Sequence, residues 1–132
     1  MREHIGLFRG KAAGEWLTGY LLVYGGKCQI WHDIENGKWN YAVDPDTVGE
    51  CTGLTDRNGK LIFEGDIVSF TRYDALGWRR DRVGQVLHHQ DTASFYVLAT
   101  TGDGWGWMQI ESIEVIGNIH DNPELIGGTD HG

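Results

Sequence analysis

The stretch GWRRDR, residues 77–82, holds the residues best suited to binding an anion. The candidate residues are Trp78, Arg79, Arg80 and Arg82. Guanidinium groups bind phosphate through paired hydrogen bonds, and both arginine and tryptophan stack on nucleobases. The stretch therefore indicates an anion-binding or nucleic-acid-binding loop. The alternative, which we favour from sequence, is a solvated hairpin loop in which Asp74 and Asp81 neutralise part of the charge.

A second candidate binding region is TGDGWGWMQI, residues 101–110. Trp105 and Trp107 are two positions apart, so they share a face if both belong to a strand. The preceding Gly-Asp-Gly allows the backbone to approach a ligand closely. If the two side chains are exposed, they mark a binding surface. If they are buried, they fill the mouth of a small barrel. The sequence leaves both interpretations open.

The segment HHQD, residues 88–91, is the best candidate for a metal site, because histidine and aspartate are common metal ligands. In a strand, however, His88 and His89 point to opposite faces. His89 and Asp91 would share a face, but two ligands are too few to hold a metal. We therefore interpret the segment as the polar end of a hairpin and predict no metal site.

Catalytic patterns are scarce in this sequence. No serine or cysteine lies in a recognisable nucleophile motif, and the phosphate-binding loop G-x-x-x-x-G-K-[ST] is absent. The segment GDGWG is not followed by the helix that a dinucleotide fingerprint requires. The acidic pairs Asp44/Asp46 and Glu111/Glu114 are explained by turn and surface roles. We expect a protein that is not an enzyme and needs no cofactor.

Composition limits the cellular setting and the partners. The chain has 132 residues, and this length predicts a single domain. Its formal charge of −8 predicts a surface that on average repels duplex nucleic acid and anionic membranes. Cys28 and Cys51 are predicted to be free thiols, as is usual in a reducing cytosol. The N-terminal residues do not resemble a signal peptide, and no apolar run is long enough to span a bilayer. We expect a soluble cytoplasmic protein.

The elements that must position these residues are short strands. Strand-length apolar or alternating runs recur between Gly, Asn and Asp, with twenty glycines and two prolines in the chain. The predicted strands are HIGLF (4–8), EWLTGYLLVY (15–24), KCQIWHDI (27–34), KWNYAV (38–43), KLIF (60–63), IVSFTRY (67–73), RVGQVLHH (82–89), SFYVLAT (94–100), GWMQI (106–110) and IEVIGNI (113–119). Asn36-Gly37 predicts a tight hairpin turn between the third and fourth strands.

Helices are predicted only as single turns. Asp44 before Pro45 and Asn122 before Pro123 are the patterns of a capped first turn, and no apolar period of 3.6 residues is sustained elsewhere. The predicted fold class is therefore mainly β, with antiparallel strands in a small barrel or two packed sheets.

The stretch TGLTDRNGKLIFEGDIVSF, residues 52–70, is rich in turn signals. Asn58-Gly59 predicts a tight turn and Gly65-Asp66 a second bend, and both glycines are placed where the backbone needs positive φ or close approach. Asp56 and Asp66 are predicted to accept hydrogen bonds from nearby backbone amides. The core residues of the stretch are predicted to be Ile62, Ile67, Val68 and Phe70. We interpret the stretch as architectural rather than catalytic.

Four motifs occur in the order of a known family. They are FRGK (8–11), GEW followed by GYL (14–16, 19–21), VDPDTVGECTGLTDRNGKLIFEGDIV (43–68) and IEVIGNIHDNPEL (113–125). The chain therefore resembles the YopX-like family of phage and prophage proteins. The resemblance implies a small, mostly β protein encoded by a phage or prophage, and it implies no particular biochemical activity. Within residues 1–132 we predict an N-terminal β-subdomain (1–63) joined to a C-terminal SH3-like small barrel (64–132).

These observations favour a non-enzymatic accessory protein that binds a host or phage macromolecule. Self-association is expected too, because small β-domains expose edge strands that must be paired or covered. One alternative is nucleic-acid binding through residues 77–82. Another is a small-ligand binder or enzyme that uses the region of Trp105 and Trp107.

Overall fold

The computed structural model describes residues 7–34, 37–73, 75–89 and 94–127, without the side chains of residues 32–39 and Arg80. Antiparallel strands dominate these residues, and the helical segments among them are single 3-10 turns. The predicted mainly β fold class is confirmed. The chain divides into two compact units, residues 1–53 and 54–132. The division predicted at 63/64 and the SH3-like barrel stay predictions.

The first unit is built from five strands in the order β4-β3-β2-β1-β5. Their bounds are β1 Phe8–Ala12, β2 Glu15–Tyr24, β3 Lys27–Ile34, β4 Gly37–Val43 and β5 Gly49–Thr55, the last ending just beyond the unit boundary. Ile30, Val43 and Cys51 are its buried apolar residues among those described. The bounds of β2 and β3 are those predicted, because alternating apolar residues between tight turns specify both the strands and their ends.

A 3-10 turn at Pro45–Thr47 follows β4. The backbone N–H of Asp46 donates to Oδ1 of Asp44 at 3.0 Å, so the predicted aspartate cap is confirmed. The hydroxyl of Thr47 donates to the carbonyl of Asp44 and accepts from the backbone N–H of Lys11 at 2.8 Å. The turn is thereby fastened to β1.

The second unit contains six strands, and five of them form an antiparallel sheet in the order β10-β9-β8-β7-β11. The strands are β6 Leu61–Phe63, β7 Asp66–Tyr73, β8 Arg79–His89, β9 Ser94–Ala99, β10 Gly104–Trp105 and β11 Glu111–Asn118. Two further 3-10 turns are Trp107–Gln109 and Pro123–Ile126. The buried core cluster of this unit consists of Ile62, Val68, Phe70, Val86, Val97, Ala99 and Ile110.

The structure corrects several predicted elements. The strand predicted over 106–110 is wrong, because Trp107–Gln109 is a 3-10 turn in which the side-chain oxygen of Gln109 accepts from the N–H of Gly106. The loop predicted over 77–82 is wrong from Arg79 onward, since β8 begins there and pairs with β7. Ladder hydrogen bonds with a neighbouring strand outweigh the preference of a charged run for solvent.

Three smaller differences concern strand and turn ends. Residues 4–6 of the strand predicted over 4–8 lie outside the described residues; of the other two, Leu7 is not in a strand and Phe8 begins β1. Strand β5 was missed because its glycines and threonines give little apolar signal. Asn122 does not cap the turn that follows it; its Oδ1 accepts from the N–H of Asn118, at the end of β11. The predicted Asn36 turn and the terminal residues 128–132 lie outside the described residues.

The architectural interpretation of the stretch 52–70 is supported in detail. Gly59 and Gly65 have φ of +85° and +94°, where a side chain would be strained. Asp66 accepts a hydrogen bond from the N–H of Phe63 at 2.8 Å, as predicted for a bend. The four predicted core residues, Ile62, Ile67, Val68 and Phe70, are all at most 2% exposed.

Within the described part of the chain, no helix is long and apolar enough to cross a membrane.

Candidate functional site

The sheet of the second unit has two chemically different faces. Successive side chains of a strand point to opposite faces, and the register of β7 with β8 pairs Ser69 with Val83 and Thr71 with Asp81. We call the face that carries these four residues the cleft face. The core face, on the other side, carries Val68, Phe70 and Val86.

An open cleft of about 580 Å³ lies against the cleft face, and its lining is rich in arginine and hydroxyl groups. The lining residues are Arg57, Ser69, Phe70, Thr71, Arg79, Asp81, Arg82, Val83, Thr100, Thr101 and Ser112. Three arginines face one aspartate there, although the whole chain has a formal charge of −8. The volume falls within the range of small-ligand pockets. This cleft is the best candidate functional site of the described residues.

Arg57 reaches the cleft because the Asn58-Gly59 turn is fastened to β11. Oδ1 of Asp56 accepts from the N–H groups of Asn58 and Lys60, which closes the turn. Oδ2 of the same carboxylate accepts from the N–H of Val115 at 2.8 Å, and the N–H of Arg57 donates to the carbonyl of Ile113 at 2.9 Å. A buried aspartate therefore positions the arginine next to it in sequence.

The carboxyl of Asp56 is held in its ionised form. Burial acts to raise the pKa of this carboxyl, but the hydrogen bonds from the backbone N–H groups of Val115, Lys60 and Asn58 outweigh burial. The pKa is consequently lower than the ordinary value of an aspartate. The hydrogen bonds that hold the turn carrying Arg57 are therefore charge-assisted at neutral pH.

Arg79 and Asp81 form an ion pair on β8. Nε of Arg79 donates to Oδ1 of Asp81 at 3.0 Å, and the hydroxyl of Thr71 donates to the same oxygen at 2.9 Å. The bond from Arg79, and then that from Thr71, lower the pKa of Asp81, while the pair raises the pKa of Arg79. Among the described residues Asp81 is the hydrogen-bond partner of this guanidinium, so its terminal nitrogens are open to a ligand.

The other two arginines of the cleft are loosely held. Arg57 lies 3.9 Å from Glu114, and the two side chains are 59% and 39% exposed. An ion pair this exposed contributes at most about 1 kcal/mol and exchanges readily with a ligand. Arg82 donates through Nη1 to the carbonyl of Asp81, while its buried Nε has no hydrogen-bond partner within the described residues.

The hydroxyl groups come from three elements around the sheet. Ser69 and Thr71 belong to β7, Ser112 to β11, and Thr100 and Thr101 to the loop after β9. Ser112 has φ of +54°, a left-handed conformation that costs a non-glycine residue about 1–2 kcal/mol. A strained residue that lines a cavity is a common feature of binding sites.

A small network holds the loop of Thr100 and Thr101 in place. Asp103 accepts from the hydroxyl of Thr101, which is the main cause of its lowered pKa, and from Nε1 of Trp105 at 2.5 Å. The guanidinium of Arg72 lies over the Trp105 ring, 4.3 Å from its centroid. Trp105 therefore supports the cleft loop without lining the cleft.

The structure brings together only some of the residues singled out from sequence. Arg79 and Arg82 line the cleft, whereas Trp78 is 65% exposed and outside the lining. Arg80 lies in β8, where its backbone pairs with that of Arg72 in β7, and its side chain is not among the described ones. Trp105 and Trp107 are half-buried against the core cluster, so they do not form an exposed pair on one strand. The structural motif residues Asn58, Gly59, Gly65 and Asp66 build the two bends.

Sequence reasoning missed Arg57 and the hydroxyl groups. A signal for the hydroxyls was present, since Ser69 and Thr71 alternate with core residues along IVSFTRY. Arg57 had no such signal, because its contact with the cleft depends on the pairing of a turn with β11, far along the chain.

No group of three potential metal ligands is assembled within residues 7–34, 37–73, 75–89 and 94–127. His88 packs against Phe95 and His89 against Tyr96, as adjacent residues on opposite faces of β8 must. Asp91, the third potential ligand of that segment, lies outside the described residues.

The comparisons with known proteins point to one family. The model of the family described as YopX protein matches residues 24–127. The chain is 28% identical over 135 residues to an SPbeta prophage-derived uncharacterized protein YopX of Bacillus subtilis (strain 168), and the match covers 84% of this chain and 97% of that protein. No solved structure matches the chain.

Proposed function

Because the chain belongs to the YopX family of phage and prophage proteins, we propose that it is a non-enzymatic accessory protein that binds a host or phage macromolecule through the arginine-lined cleft. The observation that carries this proposal is the charge of the cleft. Arg57, Arg79 and Arg82 converge on it in a chain with 19 acidic and 11 basic residues. A local positive site on an acidic surface selects for an anionic partner while the rest of the surface repels non-specific ones.

The contents of the cleft favour binding over catalysis. Its lining carries arginines, hydroxyls and one aspartate that is already paired with Arg79, and among the described residues it contains no cysteine, histidine or lysine. The pKa of Asp81 is lowered rather than raised, which makes this carboxylate a weak general base at neutral pH. The proposal places the protein in the cytoplasm of the bacterial host, where it would meet either kind of partner.

Capture of partners from host lysate tests the proposal. The tagged protein, Arg57→Ala and Arg79→Ala are compared after nuclease treatment. Lys27→Ala serves as the matched control, because it removes one exposed positive charge from β3 of the first unit. We expect the wild type and Lys27→Ala to retain a partner that both cleft variants lose. Retention of every partner by both cleft variants would contradict the proposal.

Nucleic-acid binding is the second candidate function, favoured by exposed Trp78 next to Arg79 on β8. An exposed aromatic beside arginines can stack on an unpaired base. This candidate predicts that captured material is nuclease-sensitive and that affinity falls steeply with salt. It also predicts loss of binding when Trp78 is replaced by alanine, whereas the cleft proposal does not. Absence of a gel shift at low salt would remove it.

Self-association is a further part of the proposal. The terminal strands of the two sheets, among them β4 and β10, are edges of the kind that small β-proteins pair or cover. We expect a closed dimer or ring. Light scattering that reports a monomer over the whole accessible concentration range would contradict this part.

A further inference from the structure

We propose that the cleft binds a phosphate monoester, with Arg57 and Arg79 as its charge partners and the hydroxyl groups as neutral donors. The inference rests on the proposed function and names the chemical group that the cleft recognises. Both arginines have donor atoms available. The terminal nitrogens of Arg79 have no partner within the described residues, and Arg57 is held only by its exposed pair with Glu114.

The available hydroxyls add donors around the same space. The hydroxyls of Thr71 and Thr101 already donate hydrogen bonds to Asp81 and Asp103. The hydroxyls of Ser69, Thr100 and Ser112 have no hydrogen-bond partner in the part of the chain that the structure describes, and they line the cleft from three elements. The cleft thus offers two guanidinium groups and three hydroxyls to one ligand.

This donor set exceeds what a carboxylate accepts. A carboxylate has two oxygens and one negative charge, and a single bidentate arginine already satisfies most of it. A phosphate monoester has three terminal oxygens and a charge between about −1.5 and −2 at neutral pH. The three arginines and one aspartate of the described lining leave a formal charge of +2, which matches that charge, and the hydroxyls match the additional lone pairs.

The extent of the positive charge favours a single monoester over a nucleic-acid backbone. Backbone recognition needs lysines and arginines spread along a track of several phosphates. Here Arg57, Arg79 and Arg82 line one cleft of about 580 Å³ instead of a track, and acidic residues such as Glu111 and Glu114 lie around it on β11. A track of phosphodiesters would run past both of these carboxylates, whereas one terminal phosphate would meet Glu114 only at its exposed pair with Arg57 and would displace it there.

Ser112 supplies an observation independent of charge. Its left-handed backbone, at the register shift of β11 between Glu111 and Glu114, is costly for serine and easy for glycine. Yet the position is occupied by a serine whose hydroxyl has no hydrogen-bond partner among the described residues. A hydroxyl needed by a ligand explains why the strained residue is serine. Ser112→Gly therefore removes the donor without adding backbone strain, and it separates binding from folding.

Titration of the full-length protein with phosphoserine and with inorganic phosphate tests the inference. Binding is followed by calorimetry at constant ionic strength, with acetate and a single-stranded oligonucleotide that lacks a terminal phosphate as comparison ligands. We expect both phosphate probes to bind more tightly than acetate. We expect Arg57→Ala and Arg79→Ala to weaken phosphoserine binding about tenfold each, Ser112→Gly to weaken it several-fold, and Lys27→Ala to leave it unchanged.

The other outcomes overturn either the inference or the proposed function, and they distinguish the two. Failure of both phosphate probes to bind, or binding that Arg57→Ala and Arg79→Ala leave intact, contradicts a phosphate site in the cleft. Tight binding of the oligonucleotide without binding of phosphoserine would show that the ligand is a nucleic acid instead of a phosphate monoester. If the phosphate probes fail while partner capture still requires the arginines, the proposed function stands and the inference falls. If phosphoserine binds through the arginines but capture ignores them, the proposed function falls instead.

Discussion

Phe70 and Thr71 are neighbours in β7, both are almost fully buried and both reach the lining of the cleft, yet their main contacts differ. Phe70, 2% exposed, packs into the apolar cluster of the core face. Thr71, 4% exposed, lies on the cleft face and donates its hydroxyl to Asp81. Burial alone therefore does not separate core from site. The difference lies in what each residue is buried against.

The two faces also differ in how they are held. Dispersion and apolar burial hold the core face, and they depend on volume rather than on direction. The cleft face is held by directed bonds, from Thr71 to Asp81 on the sheet and from Val115 to Asp56 at the turn beside it. Substitutions on the core face should therefore reduce stability most, and those on the cleft face should change pKa values and binding more than stability.

The largest effect is expected from Phe70→Ala. Removing a fully buried aromatic ring loses its apolar burial and leaves a cavity, which typically lowers the free energy of unfolding by about 3–5 kcal/mol. Urea denaturation followed by fluorescence measures the loss. Leu98→Ala, at a position 38% exposed on β9, is the control and should cost much less. Equal losses for the two variants would contradict the assignment of the core face.

Asp56→Asn should give the next largest effect, because it breaks the turn that carries Arg57. The amide places an NH₂ group where a carboxylate oxygen now accepts from Val115 or from the turn. An unsatisfied buried donor with loss of a charge-assisted bond lowers the free energy of unfolding by about 2 kcal/mol. Urea denaturation at neutral pH measures this loss, and phosphoserine binding should weaken with it.

The same variant has a definite pH dependence. The folded pKa of Asp56 lies below its unfolded value of about 3.9, so its stabilisation is complete above the unfolded value. It is lost as the pH falls through the folded pKa. The difference in unfolding free energy between wild type and Asp56→Asn should consequently be constant near neutral pH and shrink in acid. A difference that grows on acidification would show that the carboxylate is not stabilised by folding.

Thr71→Val should have a smaller effect on stability. The substitution keeps the shape and removes only the hydrogen bond to Asp81, which contributes about 1 kcal/mol to the free energy of unfolding. The pKa of Asp81 should rise toward its ordinary value, although the bond from Arg79 remains. An NMR titration of the Asp81 carboxyl measures this change. An unchanged pKa would mean that Thr71 does not contribute to holding the charge of the cleft.

Ser112→Gly should change stability least. Relief of the left-handed strain of about 1 kcal/mol is largely offset by the greater freedom of glycine in the unfolded chain. Ser112→Ala is the matched variant, since it also removes the hydroxyl but keeps the strain. Thermal denaturation should therefore find the glycine variant at least as stable as the alanine variant, and both should bind phosphoserine less tightly. A glycine variant less stable than the alanine variant would contradict the strained backbone.

Much of the fold was predictable because its signals are local. Alternation of apolar residues predicts β2 and β3 with their observed bounds, and the cap at Asp44 is a contact between residues two apart. The predictions that were wrong depended on which of several possible partners a segment pairs with, and the local pattern does not decide that choice. The arginines after Trp78 form a strand because β7 is present to pair with them, and Asn122 bonds to the end of β11 instead of its own turn.

The candidate site was predictable in part, for the same reason. Arg79 and Arg82 were recognisable from their clustering, which is a property of neighbours in sequence. Trp105 and Trp107 were recognisable as residues but not in their role, because packing against the core cluster decides whether an aromatic side chain is exposed. Arg57 was not recognisable, since only the bond from Val115 to Asp56 brings its turn to the sheet.

The sequence by itself determined the mainly β class, the bends at Gly59 and Gly65, and the four core residues of the stretch 52–70. These depend on backbone preferences and on period-two alternation, which act between near neighbours. The tertiary structure alone decided that Arg57, Arg79, Ser69, Thr100 and Ser112 surround one cleft. Their convergence is fixed by strand register and by hydrogen bonds between distant segments, and neither is encoded in any single stretch of the chain.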